Sequence, residues 1–499
     1  MNGAISGDRR RARAIRAFAR VRPSPPVIAL LAVLGLPPAA ANGQYPSSPP
    51  PPGPLRPMQF PPFREARFAN GLEMILVENH ELPIVSVSLA MPAGARHEPA
   101  GREGLVGLVA ELLTKGTTTR TADQIAAEIE GVGGSLSASA GDDFFTVSVT
   151  VLTDHLDLGL GLMSDVLLNA TFPEDEVELA RTRVLSSLQL EKADPGALAG
   201  KFFSRTLYGD HPYGHLSIGN DAALRRLDLA DVTTFHTATF APSRSALVVA
   251  GAMSHETLLR LAEDAFGRWT DGDAAGDAVP VAAADLEPAA AAPRVAVVSR
   301  EGAAQSELRI GHLSARRDTP DYASLVVMNA LLGGQFVSRV NLKLREEKGY
   351  TYGARTGFDW RRGLAPFVLQ ASVHTAATAD AIRDSLNELD AIRGSRPPSD
   401  SEMTLAKASL TRGYPRNFET ANQVARSVAQ LVLYGLPDSY FENFVPRVNA
   451  VTAADVTRAA QKYLDPARVT TLIVGDYAAI GPSLDALSLG EVQVQPPEV

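Results

Sequence analysis

Nine histidines and no cysteines bound the chemistry open to this 499-residue chain. Without thiols, neither a disulfide nor a thiolate metal site can form. His211 and His215 stand four apart in HPYGH, a spacing that grips a metal on a helix. Pro212 and Gly214 make that stretch a loop instead. No H-x-x-E-H or H-E-x-x-H occurs anywhere, and His155 and His236 fall on helical patterns as solvated or core residues. A second stretch of interest is GGQFVSRVNLKLREEKGYTY, Gly333 to Tyr352. By composition, Arg345 belongs to a solvated charge run, KLREEK. The spacing ends a helix near Arg345, turns the chain at Gly349 and opens a strand at Tyr352, with Tyr350 on the same strand face.

These residues need elements to hold them. Gly104 to Thr117, GLVGLVAELLTKGT, reads as a helix with Leu105, Leu108, Val109 and Leu112 on one apolar stripe. Gly107 and Glu111 share another face, with Ala110 beside them. Asn70-Gly71 predicts a hairpin, and Ile84 to Met91 alternates as a strand. Thr121 caps a helix that runs to Val132 and stops at Gly133-Gly134. Strands fill Ser135 to Leu152, and helices follow at Leu156 to Asn169 and Pro173 to Lys192. ADVTTFHTATFAPSRSALVVAG, from Ala230, returns as ADVTRAAQKYLDPARVTTLIVG, from Ala454, with seven identities in 22 positions at an offset of 224. That repeat predicts an internal duplication. The fold class expected is α+β, two homologous domains, each a mostly antiparallel sheet packed with helices.

At the N-terminus, seven arginines between Arg9 and Arg22, the apolar core VIALLAVLGL and Ala39-Ala40-Ala41 read as an export signal at 1–41. Ten apolar residues are too few to span a bilayer, which takes about 20. Losing that segment removes seven arginines and one aspartate, and takes the formal charge from −9 to −15. Such an acidic chain is a poor nucleic-acid binder on electrostatic grounds, and no nucleic-acid partner is expected. The expected organisation is a proline-rich spacer at 42–62, a first domain at 63–272, an Ala/Asp/Gly/Pro linker at 273–293, a second domain at 294–482 and a tail at 483–499.

From about residue 58 to 480 the chain resembles the pitrilysin/insulinase family of zinc peptidases. Around Gly104 to Thr117 the family frame is kept, with Gly-Leu before and Lys-Gly-Thr after the positions of the inverted zinc motif H-x-x-E-H. The two histidine positions are Gly107 and Glu111, and the general-base position is Ala110. The third-ligand position is Ser187, in RVLSSLQLEKADP. One carboxylate among these four cannot hold a catalytic zinc, which takes three protein ligands. The resemblance therefore implies a peptidase fold without its own metal: cofactor none, metal none. The family's His-Pro-Tyr-Gly stretch is structural. Its Gly-Gly-x-x-Asn-Ala stretch, which helps bind substrate backbone, appears here as GGSLSAS with Ser137 at the Asn position.

The Gly333–Tyr352 motif resembles the family's second-domain signature. The resemblance implies that Arg345 and Tyr352 reach a substrate carbonyl, where a guanidinium and a phenol stabilise the developing oxyanion. Tyr350 is the alternative to Tyr352. The expected partner is a homologous zinc-bearing subunit, with a peptide as substrate. The expectation is a zinc-less subunit of a heterodimeric zinc endopeptidase, exported and periplasmic, that is not an enzyme by itself. The alternative is a non-catalytic structural or peptide-binding protein resembling processing-peptidase core subunits.

Overall fold

The computed structural model describes residues 60–215, 218–272 and 294–496. The expected export signal, most of the expected spacer, the expected linker at 273–293 and the last three residues lie outside the described residues. Among the described residues, twelve strands form two six-stranded sheets. The first holds β1 (Phe63–Arg67), β2 (Glu73–Glu78), β3 (Ile84–Met91), β4 (Ser135–Ala140), β5 (Phe145–Leu152) and β6 (Ala246–Gly251), in the order β1-β2-β6-β3-β5-β4. The second holds β7 (Val295–Ser299), β8 (Gln305–Ala315), β9 (Thr351–Phe358), β10 (Ala365–His374), β11 (Thr470–Gly475) and β12 (Val492–Gln495), in the order β12-β7-β11-β8-β10-β9. Most pairs are antiparallel; β2–β6, β7–β11 and β7–β12 are parallel. The class is α+β, as the patterning implies.

The duplication is visible in register. The helices Leu229–Thr239 and Ala453–Tyr463 are offset by 224 at both ends, as are β6 and β11. Each helix opens on a capping box, Asp228 with Asp231 and Thr452 with Asp455, in which side chains and backbone N–H groups bond reciprocally. The halves differ at one edge. β1 joins β2 antiparallel through the Asn70-Gly71 turn, with Gly71 at φ +90°, whereas β12 joins β7 in parallel from the far end of the chain. The stretch read as a tail thus supplies a sheet strand.

Both faces of β6 and of β11 are buried. In β6, Leu247 and Val249 face the core beneath the first half's own helices, while Val248 and Ala250 face the other way. That second face is covered by the helix Ala421–Tyr434, which brings Val424, Val428 and Leu431 from the second half. The exchange is reciprocal. In the second sheet, Ala296, Val298, Leu472 and Val474 are covered by Leu198, Phe202, Phe203 and Leu207 of the helix Pro195–Tyr208, from the first half. Phe60, inside the expected spacer, is buried with its ring 5.1 Å from Phe418 and 5.0 Å from Phe441, because an aromatic in reach of that apolar seam gains by leaving water.

A buried polar seam also joins the halves. Arg96 pairs with Asp143 at 3.1 Å and Arg361 with Asp142 at 3.0 Å, and the Arg362 N–H donates to Asp143 at 2.9 Å. Tyr213 of HPYGH donates to Asp143, and its ring lies 4.8 Å from the Arg361 guanidinium. Burial, then the nearby Arg96 and Arg361 charges, hold His211 down at about 4. HPYGH is a structural element here.

The Gly104–Thr117 helix is shorter than its pattern suggests and spans Leu105–Leu112. Gly116 turns at φ +156°, and Thr117 donates its hydroxyl to Asp165 at 2.8 Å. These contacts, with bridges to Thr121 and Ala170, take the backbone that another helical turn would need. Gly104 starts the helix at φ +97°, where a Cβ would meet the Ile218 carbonyl at 2.8 Å. The buried carboxylate of Glu98 accepts from the N–H groups of Gly104 and Val106 at this helix start. In the second half, buried Arg339 forks onto Glu402 at 2.6 and 2.9 Å and donates to the Arg396 and Pro397 carbonyls. Glu402 opens the helix Asp400–Arg412, so this fork ties the Ser338-Arg339 segment to that helix.

Two outcomes follow. Because each half covers the other, Phe202→Ala should cost about 3–5 kcal/mol and leave one unfolding transition for both sheets. Urea titration followed by near- and far-ultraviolet circular dichroism checks this; two separated transitions would contradict it. The Arg339 fork holds the Glu402 carboxyl at about 2, below its ordinary 4.5. A depressed carboxylate stabilises the fold fully above its unfolded value and loses that contribution as pH falls through its folded value. Thermal melts of Glu402→Gln should therefore show lower stability at pH 6 and a shallower decline from pH 4.5 to 2 than the parent. An unchanged slope would remove the pair from the account.

Candidate functional site

Arg345 lies in a single widened helical turn, Leu342–Glu347, where the Lys348 N–H reaches back five residues to the Lys343 carbonyl at 3.1 Å. Gly349 then reverses the chain at φ +66°, and the Tyr350 N–H closes the turn on the Leu344 carbonyl at 2.9 Å. β9 begins at Thr351. Turn, reversal and strand occur where the residue spacing puts them, and the widening of the turn is new.

Arg345 and Tyr352 line one open cleft of about 710 Å³. Arg345 lays its guanidinium 4.5 Å from the Phe336 ring centre, and its only carboxylate neighbour among the described residues is Glu346, at 3.5 Å. Tyr352 is 94% exposed and its hydroxyl has no partner among the described residues. Tyr350, which precedes the strand, packs partly buried against the second-half core and does not line the cleft. The two tyrosines are separated because strand alternation starts only after Tyr350.

The cleft wall rests on close backbone packing. A Cβ on Gly333 would lie 2.5 Å from the Thr356 backbone nitrogen, and one on Gly334 2.7 Å from the Asn329 amide. Gly-Gly therefore lets this loop press on β9. Buried Asn341 donates to the Phe336 carbonyl at 2.7 Å and accepts from the Ala354 N–H at 3.0 Å. It fixes Phe336 beneath Arg345 and ties both to β9. Asn341 sits inside the motif, but its polar type alone did not mark it as a buried strut. The far wall comes from the first half. Asp194 accepts from the Gly196 and Ala197 N–H groups at 2.7 and 3.0 Å, and Arg309 donates to the Gly196 carbonyl at 2.9 Å and pairs with Glu307 at 3.2 Å. Arg355 also faces the cleft and is exposed.

The outer side of edge strand β9 is occupied, since the Ala354 N–H goes to Asn341 and the Thr356 N–H to the Gly333 carbonyl. The corresponding edge of the first sheet, β4, is different. Among the described residues its backbone bonds only to β5, so the strand carrying Ser137 presents an open edge.

The four positions expected for the zinc motif sit on two packed helices, Leu105–Leu112 and Glu174–Ala193. Gly107 offers no side chain, Ala110 is buried, and Ser187 is exposed. Glu111 is bound to Arg183, one helical turn before Ser187 on the same face. An ion pair thus links the two helices at this place. One carboxylate already committed to a guanidinium does not fit zinc, which needs three donors. Among the described residues, no three His, Asp or Glu side chains group so as to hold a metal ion.

Residues 73–220 match the family model described as insulinase, peptidase family M16, and residues 226–410 match the peptidase M16 inactive domain. An uncharacterized zinc protease of Mycobacterium leprae is 27% identical over 408 residues, 81% of this chain and 90% of the relative. One of Mycobacterium tuberculosis is 27% identical over 404 residues, 80% and 90%. A crystal structure of a peptidase M16 inactive domain from Pseudomonas fluorescens superposes with a TM-score of 0.76 at 24% identity, covering 83% of this chain and 98% of the other. That of a protease from Helicobacter pylori gives 0.74 at 20%, covering 83% and 100%. The two structures share the fold. With both halves matched in order along one chain, and with the motif positions of the first half emptied, this protein belongs to the insulinase (M16) peptidase family as a member that lacks the zinc motif.

Proposed function

We propose that this chain is the zinc-less subunit of an exported, periplasmic heterodimeric zinc endopeptidase. It lends Arg345 and Tyr352 to a peptide carbonyl at the zinc site of a homologous partner. The observation that carries this reading is the pair itself: two strong donors lining one cleft, the tyrosine hydroxyl unpartnered among the described residues and the guanidinium meeting no carboxylate there but its chain neighbour Glu346. A tyrosine 94% exposed is poorly used by a purely structural protein, and a guanidinium stacked on Phe336, with only Glu346 beside its Nε, is held in place at the cleft. In peptide hydrolysis the carbonyl oxygen gains negative charge, and donors fixed in advance lower that barrier.

On this reading the chain alone cleaves nothing, because it has neither a metal-activated water nor a general base at Ala110. The purified chain should retain no stoichiometric zinc after dialysis; about one zinc per chain by elemental analysis would overturn this. Reconstituted with a partner bearing H-x-x-E-H, it should raise peptide cleavage. Arg345→Ala or Tyr352→Phe should then lower turnover by about 10²-fold with a smaller change in KM. Size-exclusion chromatography should show both variants still assembling. Full activity with the double variant would make the chain a structural or peptide-binding scaffold instead.

A further inference from the structure

A second cavity, of about 690 Å³, lies where the end of the helix Asp400–Arg412 and the turn Tyr414–Phe418 meet the helices Ala421–Tyr434 and Tyr440–Ala450. It shares no residue with the Arg345 cleft. Its size is that of a small-molecule site. Six rings line it: Tyr322, Tyr414, Phe418, Tyr440, Phe441 and Phe444. Two arginines line it as well, and no acidic residue does, in a protein whose acidic residues outnumber its basic ones by 56 to 47.

One of the two arginines is Arg317, which is 6% exposed. Three other arginines are comparably buried among the described residues, and each meets a carboxylate: Arg96 with Asp143, Arg339 with Glu402, and Arg361 with Asp142 and Asp359. Arg317 meets none. Its Nη2 donates to the Tyr440 hydroxyl at 2.8 Å, and its guanidinium lies 4.0 Å from the Tyr322 ring centre and 5.0 Å from that of Tyr440. Its Nη1 has no hydrogen-bond partner among the described residues. Burial pushes the Tyr414 and Tyr440 phenols above their ordinary range, so neither is a phenolate counter-ion. Ring faces offset part of the cost of burying a charge, but an ion of opposite sign satisfies both the charge and the open donor. The second arginine, Arg426, is exposed at the cavity and unpaired among the described residues.

We propose that this cavity binds an organic carboxylate with an aromatic or large apolar body, the carboxylate between Arg317 and Arg426 and the body among the rings. Free aryl-alkyl acids and the C-terminus of a peptide ending in an apolar residue share this chemistry.

Isothermal titration calorimetry tests the proposal on the full chain with four probes: 3-phenylpropionate, 3-phenylpropionamide, and the peptide Ala-Ala-Ala-Phe with a free and with an amidated C-terminus. At least one carboxylate should bind tenfold or more tighter than its amide. The small acid alone binding identifies a free acid as the ligand, and the peptide acid alone identifies a chain terminus. Arg317→Met should abolish the preference for the acid. Should that variant fail to fold by circular dichroism, Arg426→Gln at the cavity should still weaken acid binding several-fold while leaving the amides unchanged. Equal binding of acids and amides, or no saturable binding of either acid, overturns the proposal.

Discussion

The architecture depends on one constraint: each sheet has two apolar faces, and neither half carries enough helix to cover both. Strands buried on both sides cannot leave one face in water without exposing Val248 and Ala250, or Val298 and Val474. The protein meets this by exchange. The helix that continues past Asp194 leaves its own sheet for the other, and its counterpart after Thr420 does the reverse. The halves are consequently one cooperative body. The Arg96–Asp143 and Arg361–Asp142 pairs lie along the same junction, where desolvation makes a wrong pairing expensive and the docking geometry specific.

The same exchange builds the cleft. Asp194 belongs to the corner where the first half's chain turns toward the second sheet, and that corner lines the same cleft as Arg345 and Tyr352. Neither half has a complete cleft by itself. The helix ending at this corner also carries Arg183 and Ser187, so the place expected for the zinc motif and the arginine–tyrosine cleft are joined by a single rigid element. There the ion pair between Glu111 and Arg183 bridges the two helices that carry the expected motif positions.

Much of this was legible in the residues. Short-range chemistry read well: Thr121 closes a capping box with Gln124, Asn70-Gly71 makes its hairpin, and Gly349 reverses the chain before a strand. The repeat at an offset of 224 survives as matching caps, helices and strands at the same offset. The misses at the end of the Gly104 helix and at Phe60 share a cause, which is non-local contact. Nothing near Thr117 shows that Asp165 will stop its helix, and nothing near Phe60 shows that Phe418 and Phe441 will bury it. Arg317 gave no signal either, because an arginine next to another in ARRD reads as solvated until the rings that enclose it are assembled.

The exchange of helices also sets an order of events during synthesis. The first sheet's strands are complete once Gly251 has left the ribosome, but the helix that shields its second face starts about 170 residues later, at Ala421. At ~5–20 residues per second the wait is about 10–30 s. Throughout that interval a two-sided apolar sheet has only one side protected. Until that helix emerges, in the last sixth of the chain, a first sheet that closes early presents an apolar face to other chains.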